Sequence, residues 1–105
     1  MLVTAPDEAV AERLSRALLE RRLVACCNLV GGVRSLYRWE GRVEDAREVL
    51  IVAKTTRRRI AELEQAVAEL HPYDVPEFVV LDPAHVAGPY LDWLRGETGP
   101  DPARA

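Results

Sequence analysis

The chain has 105 residues, of which 49% are hydrophobic and 30% charged, and its formal net charge is −3. A chain of this length fits one domain with a modest core, so burial between subunits would add useful stability. The acidic balance argues against a nucleic-acid binder, and no apolar run is long enough to cross a bilayer. Acidic residues follow the N-terminus almost at once, without a basic and then apolar leader, so we expect a cytoplasmic protein.

A strand and a helix are predicted first. The apolar and β-branched residues 2–4 favour a strand. Apolar residues at helical spacing then predict a helix that ends near Arg22. Thr4, with Asp7 three residues later, resembles a capping box at the start of this helix.

A long hairpin is predicted next. Residues 23–39 are rich in apolar and aromatic side chains and are interrupted at Gly31-Gly32, which indicates a strand with a bulge or bend. Glu40-Gly41 is typical of a tight turn, and residues 43–55 supply the second strand of the hairpin.

The second half of the chain predicts a helix, a strand and a short helix. Apolar residues spaced three and four apart favour a helix that is capped by Thr55 or Thr56 and ends before Pro72. Residues 77–82 favour a fourth strand, and residues 90–94 favour a short amphipathic helix.

The order βαββαβ predicts an α+β fold, a two-layer sandwich with both helices on one face of an antiparallel sheet. Such a sheet leaves its other face open, yet residues 49–53 and 78–81 are apolar at every position. Both faces must then be buried, which predicts an oligomer. The polar, Gly- and Pro-containing stretch 96–105 should be disordered, so we expect one domain over residues 1–98 and a disordered tail over residues 99–105.

Several stretches, in this order along the chain, resemble the CutA family of divalent-cation tolerance proteins: TAPDE (4–8), LVACCNLVGGVRSLYRWEG (23–41), EVLIVAKT (48–55), HPYDVPE (71–77) and YLDWL (90–94). The resemblance implies a ferredoxin-like fold, assembled as a tight trimer similar to that of the PII signalling proteins, with the long hairpin reaching between subunits. It also implies a role in tolerance to copper and other divalent cations, with Cu(II) or another divalent cation as the ligand, and no agreed enzymatic reaction.

The candidate metal ligands are His71, Cys26 and Cys27. His71 follows a helix, where an imidazole is either a capping group or a ligand. Neighbouring residues of a strand point to opposite faces, so the two thiols cannot readily bind one ion within one chain, and burial as small hydrophobes is the alternative. Copper-binding members of the family carry a cysteine and a second histidine at the positions of Val3 and Leu70, so the resemblance predicts weak copper affinity here.

A second candidate site is an inter-subunit cleft. Tyr37 and Trp39 share one face of their strand, and Arg34 and Arg38 share the other. This pattern fits either hairpin packing against another subunit or an aromatic and cationic wall that binds a small anion. The candidates for this cleft are Arg34, Tyr37, Arg38, Trp39, Lys54, Tyr73 and Glu77.

Other charged and nucleophilic residues give weaker signals. The arginine run 57–59 is either an anion site at a helix start or a solvated face, and His85 is expected to be exposed. We recognise no catalytic constellation and expect no enzyme, although a hydrolase that uses Cys27 or His71, paired across chains, remains an alternative.

These observations give three hypotheses. The first is a cytoplasmic CutA-type homotrimer that acts in divalent-cation tolerance as a binding or signalling module, with a protein partner that the sequence does not name. The second is a PII-like sensor that binds a small anion in the inter-subunit cleft. The third is the hydrolase. None of them involves nucleic acid or a membrane.

Overall fold

The structure is a computed structural model that describes residues 1–100. The elements in chain order are β1 (Leu2–Ala5), α1 (Glu8–Glu20), β2 (Cys26–Trp39), β3 (Arg42–Lys54), a 3-10 turn (Arg57–Arg59), α2 (Ile60–Leu70) and α3 (Gly88–Glu97). Within residues 1–100, no helix combines the length and the hydropathy that a bilayer crossing requires.

The strands form an antiparallel sheet in the order β1-β3-β2, which confirms the predicted α+β class. Helix α1 packs on the sheet and α2 packs beside α1. Their apolar stripes and one face of the sheet form the core. The largest side chains that it buries completely include Leu18, Ile51, Leu63, Val3, Val24 and Val67.

The hairpin of β2 and β3 confirms the predicted turn and bulge. Glu40 and Gly41 have φ values of 49° and 79°, the left-handed geometry of a two-residue type I′ turn whose twist suits a hairpin. The register shifts between Val30 and Val33, where Gly32 takes a φ of 72°. The glycine pair therefore forms the bulge, which leaves Val33 opposite Glu48 in β3.

The predicted fourth strand at residues 77–82 is wrong in extent. Only Val79 pairs with β1, through the bonds Leu2 N–H to Val79 O (2.8 Å) and Val79 N–H to Leu2 O (3.1 Å). Pro76 and Pro83 bracket this segment and have no N–H to donate to a ladder. Val79 is 42% exposed, so this apolar stretch is not buried within one chain.

The predicted helix caps also differ from the structure. Helix α1 is capped by Asp7, whose Oδ1 accepts from Val10 N–H at 2.8 Å, and Thr4 stays in β1. Thr55 donates its hydroxyl to the carbonyl oxygen of Leu23 at 2.6 Å instead of capping α2. Neither threonine caps α2, which begins directly after the 3-10 turn.

The sheet face opposite the helices stays partly open. In β3 the side chains of Val49 and Ile51 are buried under the helices. Leu50 and Val52 lie between them on the opposite face and are half-buried. Val30 of β2, the register partner of Leu50, is 45% exposed. Within a single chain, therefore, the helices cover one apolar face of the sheet and the other apolar face stays partly exposed.

Two arginines hold the end of α3, where disorder was predicted. Arg22 donates to the carbonyl oxygens of Gly96 (2.6 Å) and Gly99 (3.0 Å). Arg59 donates to those of Thr98 (2.6 Å) and Gly99 (3.1 Å), and Thr98 is 1% exposed. Cations suit the free carbonyls at a helix C-terminus, so the expected disorder is wrong for residues 96–98, and disorder of the tail from residue 99 stays a prediction. The remainder of the predicted tail, 101–105, lies outside the described residues.

Candidate functional site

A cleft of about 670 Å³ lies between the hairpin and the segment that follows α2. One wall comes from β2, with Arg34, Ser35, Leu36, Tyr37 and Trp39. The rest comes from β1, β3 and the segment after α2, with Thr4, Glu48, Tyr73, Asp74, Val75 and Glu77. The rigid sheet therefore carries one side of the cleft, and an irregular segment carries the other.

The structure brings together some of the cleft residues that the sequence indicated. Arg34, Tyr37, Trp39, Tyr73 and Glu77 line this one space. Arg38 and Lys54 do not line it. Arg38 is exposed beside Val43 near the hairpin turn, and Lys54 donates to the side-chain oxygen of Asn28 at the other end of β3.

Glu48 is the principal cleft residue that sequence reasoning missed. It lies on the same face as Tyr37 because the ladder pairs Tyr37 with Glu44, Ser35 with Ala46 and Val33 with Glu48. Counting residues along both strands away from the Glu40-Gly41 turn reproduces these pairs. The sequence alone could therefore have placed Glu48 on the face of Tyr37. Glu48 is only 8% exposed, an unusual position for a carboxylate without a cation partner.

Tyr73 satisfies this buried carboxylate. Its hydroxyl donates to Glu48 Oε2 at 2.9 Å. Burial and then the bond to Glu48 raise the pKa of Tyr73 to about 12, because ionised tyrosine beside a carboxylate would be both desolvated and repelled. Tyr73 therefore keeps its proton at neutral pH and donates it in the bond to Glu48.

His71 holds Tyr73 in place. His71 is 6% exposed, with its Nε2 2.8 Å from the carbonyl oxygen of Thr4 and its Nδ1 3.1 Å from the backbone N of Tyr73. A carbonyl can only accept and a backbone N–H can only donate, so Nε2 carries the proton and Nδ1 is the acceptor. The ring centroids of His71 and Tyr73 are 4.6 Å apart. Both ring nitrogens thus bind backbone, which makes HPYDVPE a structural corner that also supplies a cleft wall.

The two cysteines lie on opposite faces of β2. Cys27 packs partly buried against the core, and burial raises the pKa of its thiol above the ordinary value. Cys26 is the register partner of Lys54, with its Sγ 3.9 Å from Asn28 Oδ1. The arrangement agrees with alternation along a strand, and the two thiols do not form a chelating pair.

The residues present do not fit a copper site within one chain. Residues 1–100 contain no group of three or more His, Cys, Asp or Glu side chains placed to hold a metal ion, so His71, Cys26 and Cys27 are not brought together. Val3 is completely buried in the core, and Leu70 packs against it. Both positions at which the family resemblance implies metal donors are therefore apolar here, one in the core and one packed against it.

The charge of the cleft is negative. Glu48, Asp74 and Glu77 contribute carboxylates to the lining, and Arg34 contributes a guanidinium. Arg34 already binds Asp45 through two parallel bonds, Nε to Oδ1 at 3.0 Å and NH2 to Oδ2 at 2.7 Å. This pairing lowers the pKa of Asp45. The positive charge of Arg34 is thus largely matched before any ligand enters.

The arginine run does not form an open anion site. Arg57 binds Asp82 at 2.6 Å, and Arg59 binds the carbonyls at the end of α3. Arg58 is exposed, as is His85. Two of the three guanidinium groups already contact protein acceptors, which favours the structural interpretation of this run.

Comparison with known proteins places the chain in a family. A family model described as CutA1 divalent ion tolerance protein matches residues 1–97. The divalent-cation tolerance protein CutA of Thermus thermophilus is 48% identical over 94% of this chain and 96% of its own length. The human Protein CutA is 41% identical over 91% of this chain. The chain spans 54% of that human protein, about half of its length.

Solved structures give the same result. The Thermus thermophilus divalent cation tolerance protein (Cut A1) superposes with a TM-score of 0.90 at 48% identity, covering 93% of this chain and 95% of that one. The CutA of Archaeoglobus fulgidus, described as a periplasmic divalent cation tolerance protein, superposes with a TM-score of 0.90 at 32% identity, covering 93% and 95%. The family model, the sequence relatives and the shared fold lead to one conclusion: the chain belongs to the CutA1 divalent ion tolerance protein family.

Proposed function

We propose that this protein works as a CutA-type homotrimer in the response to divalent cations, as a binding or signalling module. The observation that carries the assembly is the uncovered sheet face, where Leu50 and Val52 are half-buried and Val30 is 45% exposed. Burying such side chains contributes roughly 1.5–3 kcal/mol each when burial is complete. Docking of further copies on this face would supply that burial, as the hydrophobic pattern of the sequence requires.

We also propose that the fold is ferredoxin-like in the assembled protein. The bridge between Leu2 and Val79 lies on the side of β1 away from β3, since β3 pairs with the other edge of β1. A strand at this position would give the order 4-1-3-2, which is that of the ferredoxin-like fold.

The oligomeric state tests the assembly. Light scattering at micromolar concentration should give the mass of a trimer. Val30→Asp puts a charge on the open sheet face and should shift the mass towards the monomer. Leu19→Asp is the matched control because Leu19, on α1, is similarly exposed at 39%, and it should leave the trimer unchanged. A monomer mass for the parent protein would refute the proposed homotrimer.

For the metal, we propose that a divalent cation binds weakly and that copper has no tight site in one chain. The support is the separation of His71, Cys26 and Cys27, together with the engagement of both ring nitrogens of His71 by backbone. Calorimetric titration of copper and zinc should give no tight, stoichiometric binding. A tight copper site in the parent protein that disappears in His71→Ala would contradict this view.

A second candidate function is that of a small-ligand sensor, for which the cleft is the specific observation. Its volume of about 670 Å³ lies within the range of roughly 300–1,000 Å³ that small-molecule sites occupy. The expected PII-like ligand was an anion. The carboxylates of the lining and the pairing of Arg34 with Asp45 argue against a negatively charged ligand. Titration of phosphate and of nucleotides into the protein tests the anion directly.

We further propose that the protein is cytoplasmic and is not an enzyme. The composition supports the first statement, although the Archaeoglobus fulgidus relative is described as periplasmic, so fractionation of the source cells is the required test. The second is supported by His71, whose nitrogens are both engaged and cannot act as a general base without leaving Thr4 or Tyr73 unpaired. Ester hydrolysis that is lost in Cys27→Ala would restore the hydrolase hypothesis.

A further inference from the structure

We propose that the cleft binds a small organic cation, an alkylammonium or guanidinium compound, between its aromatic side chains and the carboxylate of Glu48. This inference rests on the cleft being a ligand site, the second candidate function above, and it assigns the chemical class of the ligand.

The aromatic content of the cleft is the first argument. Tyr37, Trp39 and Tyr73 all line it, and they are 44%, 47% and 36% exposed. Within one chain these side chains leave apolar area uncovered in a concave site, and a ligand would cover it. An aromatic ring attracts an ammonium or guanidinium ion placed over its face, and clusters of such rings recognise alkylated ammonium ions. The lining is therefore suited to a cation that also has apolar surface.

The position of the negative charge is the second argument. Glu48 lies in the wall of the cleft at 8% exposure, and Tyr73 satisfies its Oε2 with one neutral donor. A buried carboxylate is costly unless a cation or further donors compensate it. Asp74 and Glu77 add negative charge at the edge of the same space. Attraction of a cation would offset the cost of burying Glu48, whereas an anion would increase it.

The spacing of these carboxylates excludes a metal ion as the preferred occupant. A divalent cation requires several oxygens or other donors within about 2.0–2.6 Å of one point. In the part of the chain that the structure describes, the acidic side chains of the cleft are not grouped in that way. An organic cation does not need convergent ligands, because its charge is spread over a larger group that contacts a carboxylate on one side and aromatic rings on another.

Calorimetric titration of the full-length protein with choline tests the proposal. The comparison compound is the uncharged carbon analogue of choline, in which a tert-butyl group replaces the trimethylammonium group. We expect saturable millimolar or tighter binding of choline, and binding of the analogue about tenfold weaker, because the two differ only in charge. Butylguanidinium should also bind, and inorganic phosphate should not.

Paired variants identify the site. Trp39→Leu and Glu48→Gln should each weaken choline binding about tenfold. Trp93→Leu is the control for the aromatic change, since Trp93 is 44% exposed and lies outside the cleft. Glu12→Gln, on the surface of α1, is the control for the loss of one charge. Both controls should bind choline as the parent does, and light scattering on every variant separates a binding defect from a loss of assembly.

The outcomes distinguish this inference from the function on which it rests. Equal binding of choline and its neutral analogue would overturn the cation assignment. Phosphate binding that is lost in Arg34→Gln would also overturn it and leave an anion sensor in place, because Arg34 supplies the guanidinium of the lining. Failure of every probe to bind correctly assembled protein would overturn both. Choline binding that appears only when the assembly is dissociated would mean that a side chain of another copy fills the cleft, which also contradicts a small-molecule ligand.

Discussion

Replacing His71 by alanine removes two hydrogen bonds at the corner that connects α2 to the cleft. The imidazole donates through Nε2 to the carbonyl oxygen of Thr4 and accepts at Nδ1 from the backbone N–H of Tyr73. Alanine leaves both backbone groups without their partner in a part of the molecule where the histidine is 6% exposed. The variant also loses the ring that packs against Tyr73.

The size of the effect follows from these groups. A buried polar group that loses its partner costs about 1–3 kcal/mol. Because water can reach one side of this corner, we take the lower half of that range for each group and expect a total loss of about 2–4 kcal/mol in the free energy of unfolding. His71→Asn should lose about half as much. Its Oδ1 can accept from the N–H two residues later, as in an Asx turn, but the short side chain cannot reach Thr4.

Reversible urea unfolding followed by circular dichroism measures the series. All proteins must be compared at one fixed concentration, because assembly stabilises the native state by mass action. The expected order of stability is parent, then His71→Asn, then His71→Ala. A loss below about 1 kcal/mol in the alanine variant, or equal losses in both variants, would refute the hydrogen-bond account of this corner.

Further predictions concern assembly, α3, the core and the cleft. The melting temperature should rise with protein concentration over a hundredfold range if unfolding is reversible, and a constant value in calorimetry would contradict coupled folding and assembly. Arg59→Ala should lower the free energy of unfolding by about 1–3 kcal/mol, with Arg59→Lys intermediate, in denaturant titrations. Ser15→Ala, in the core, should change it by less than about 1 kcal/mol, because the partner of the buried Ser15 hydroxyl is the Cys27 thiol, a weak hydrogen-bonding group; a larger loss would reveal a stronger partner in the assembled protein. Folding raises the pKa of Tyr73 from 10.0 to about 12, so its contribution to stability is complete below pH 10 and is lost as the pH rises towards 12. Tyr73→Phe should remove that part of the pH dependence, as measured by urea unfolding at each pH.

The sequence predicts the hairpin well because its signals are local. Glu40-Gly41 specifies the turn by backbone conformation alone, and Gly31-Gly32 provides the bulge. The predicted strand at residues 77–82 is reduced to one bridge, because apolar composition does not determine which backbone groups pair. Its neighbour β1 has four residues, and only Val79 finds a partner there.

The cleft was only partly predictable for a related reason. Tyr37 and Trp39 were found from their alternation along one strand, and Tyr73 and Glu77 from their unusual motif. Glu48 precedes an apolar run and resembles an ordinary surface acid, until the register places it on the same face as Tyr37 and the segment after α2 brings Tyr73 to it. The bond of His71 to Thr4 depends on the approach of β1 to the end of α2, and no local pattern predicts such a long-range contact.

The hydrogen bonds from Arg22 and Arg59 to the end of α3 also affect the expected order of folding. Arg22 is 77 residues from Gly99 in the sequence, so this contact closes a long loop whose entropy must be lost before the bonds form. Helix α3 buries only Leu94 of its own residues, so little else compensates that loss. We therefore expect α3 to dock after the sheet and α1 have formed, and to detach from them by local opening at a lower free energy than global unfolding. Amide exchange in α3 should then be faster than in β3 and independent of the global transition.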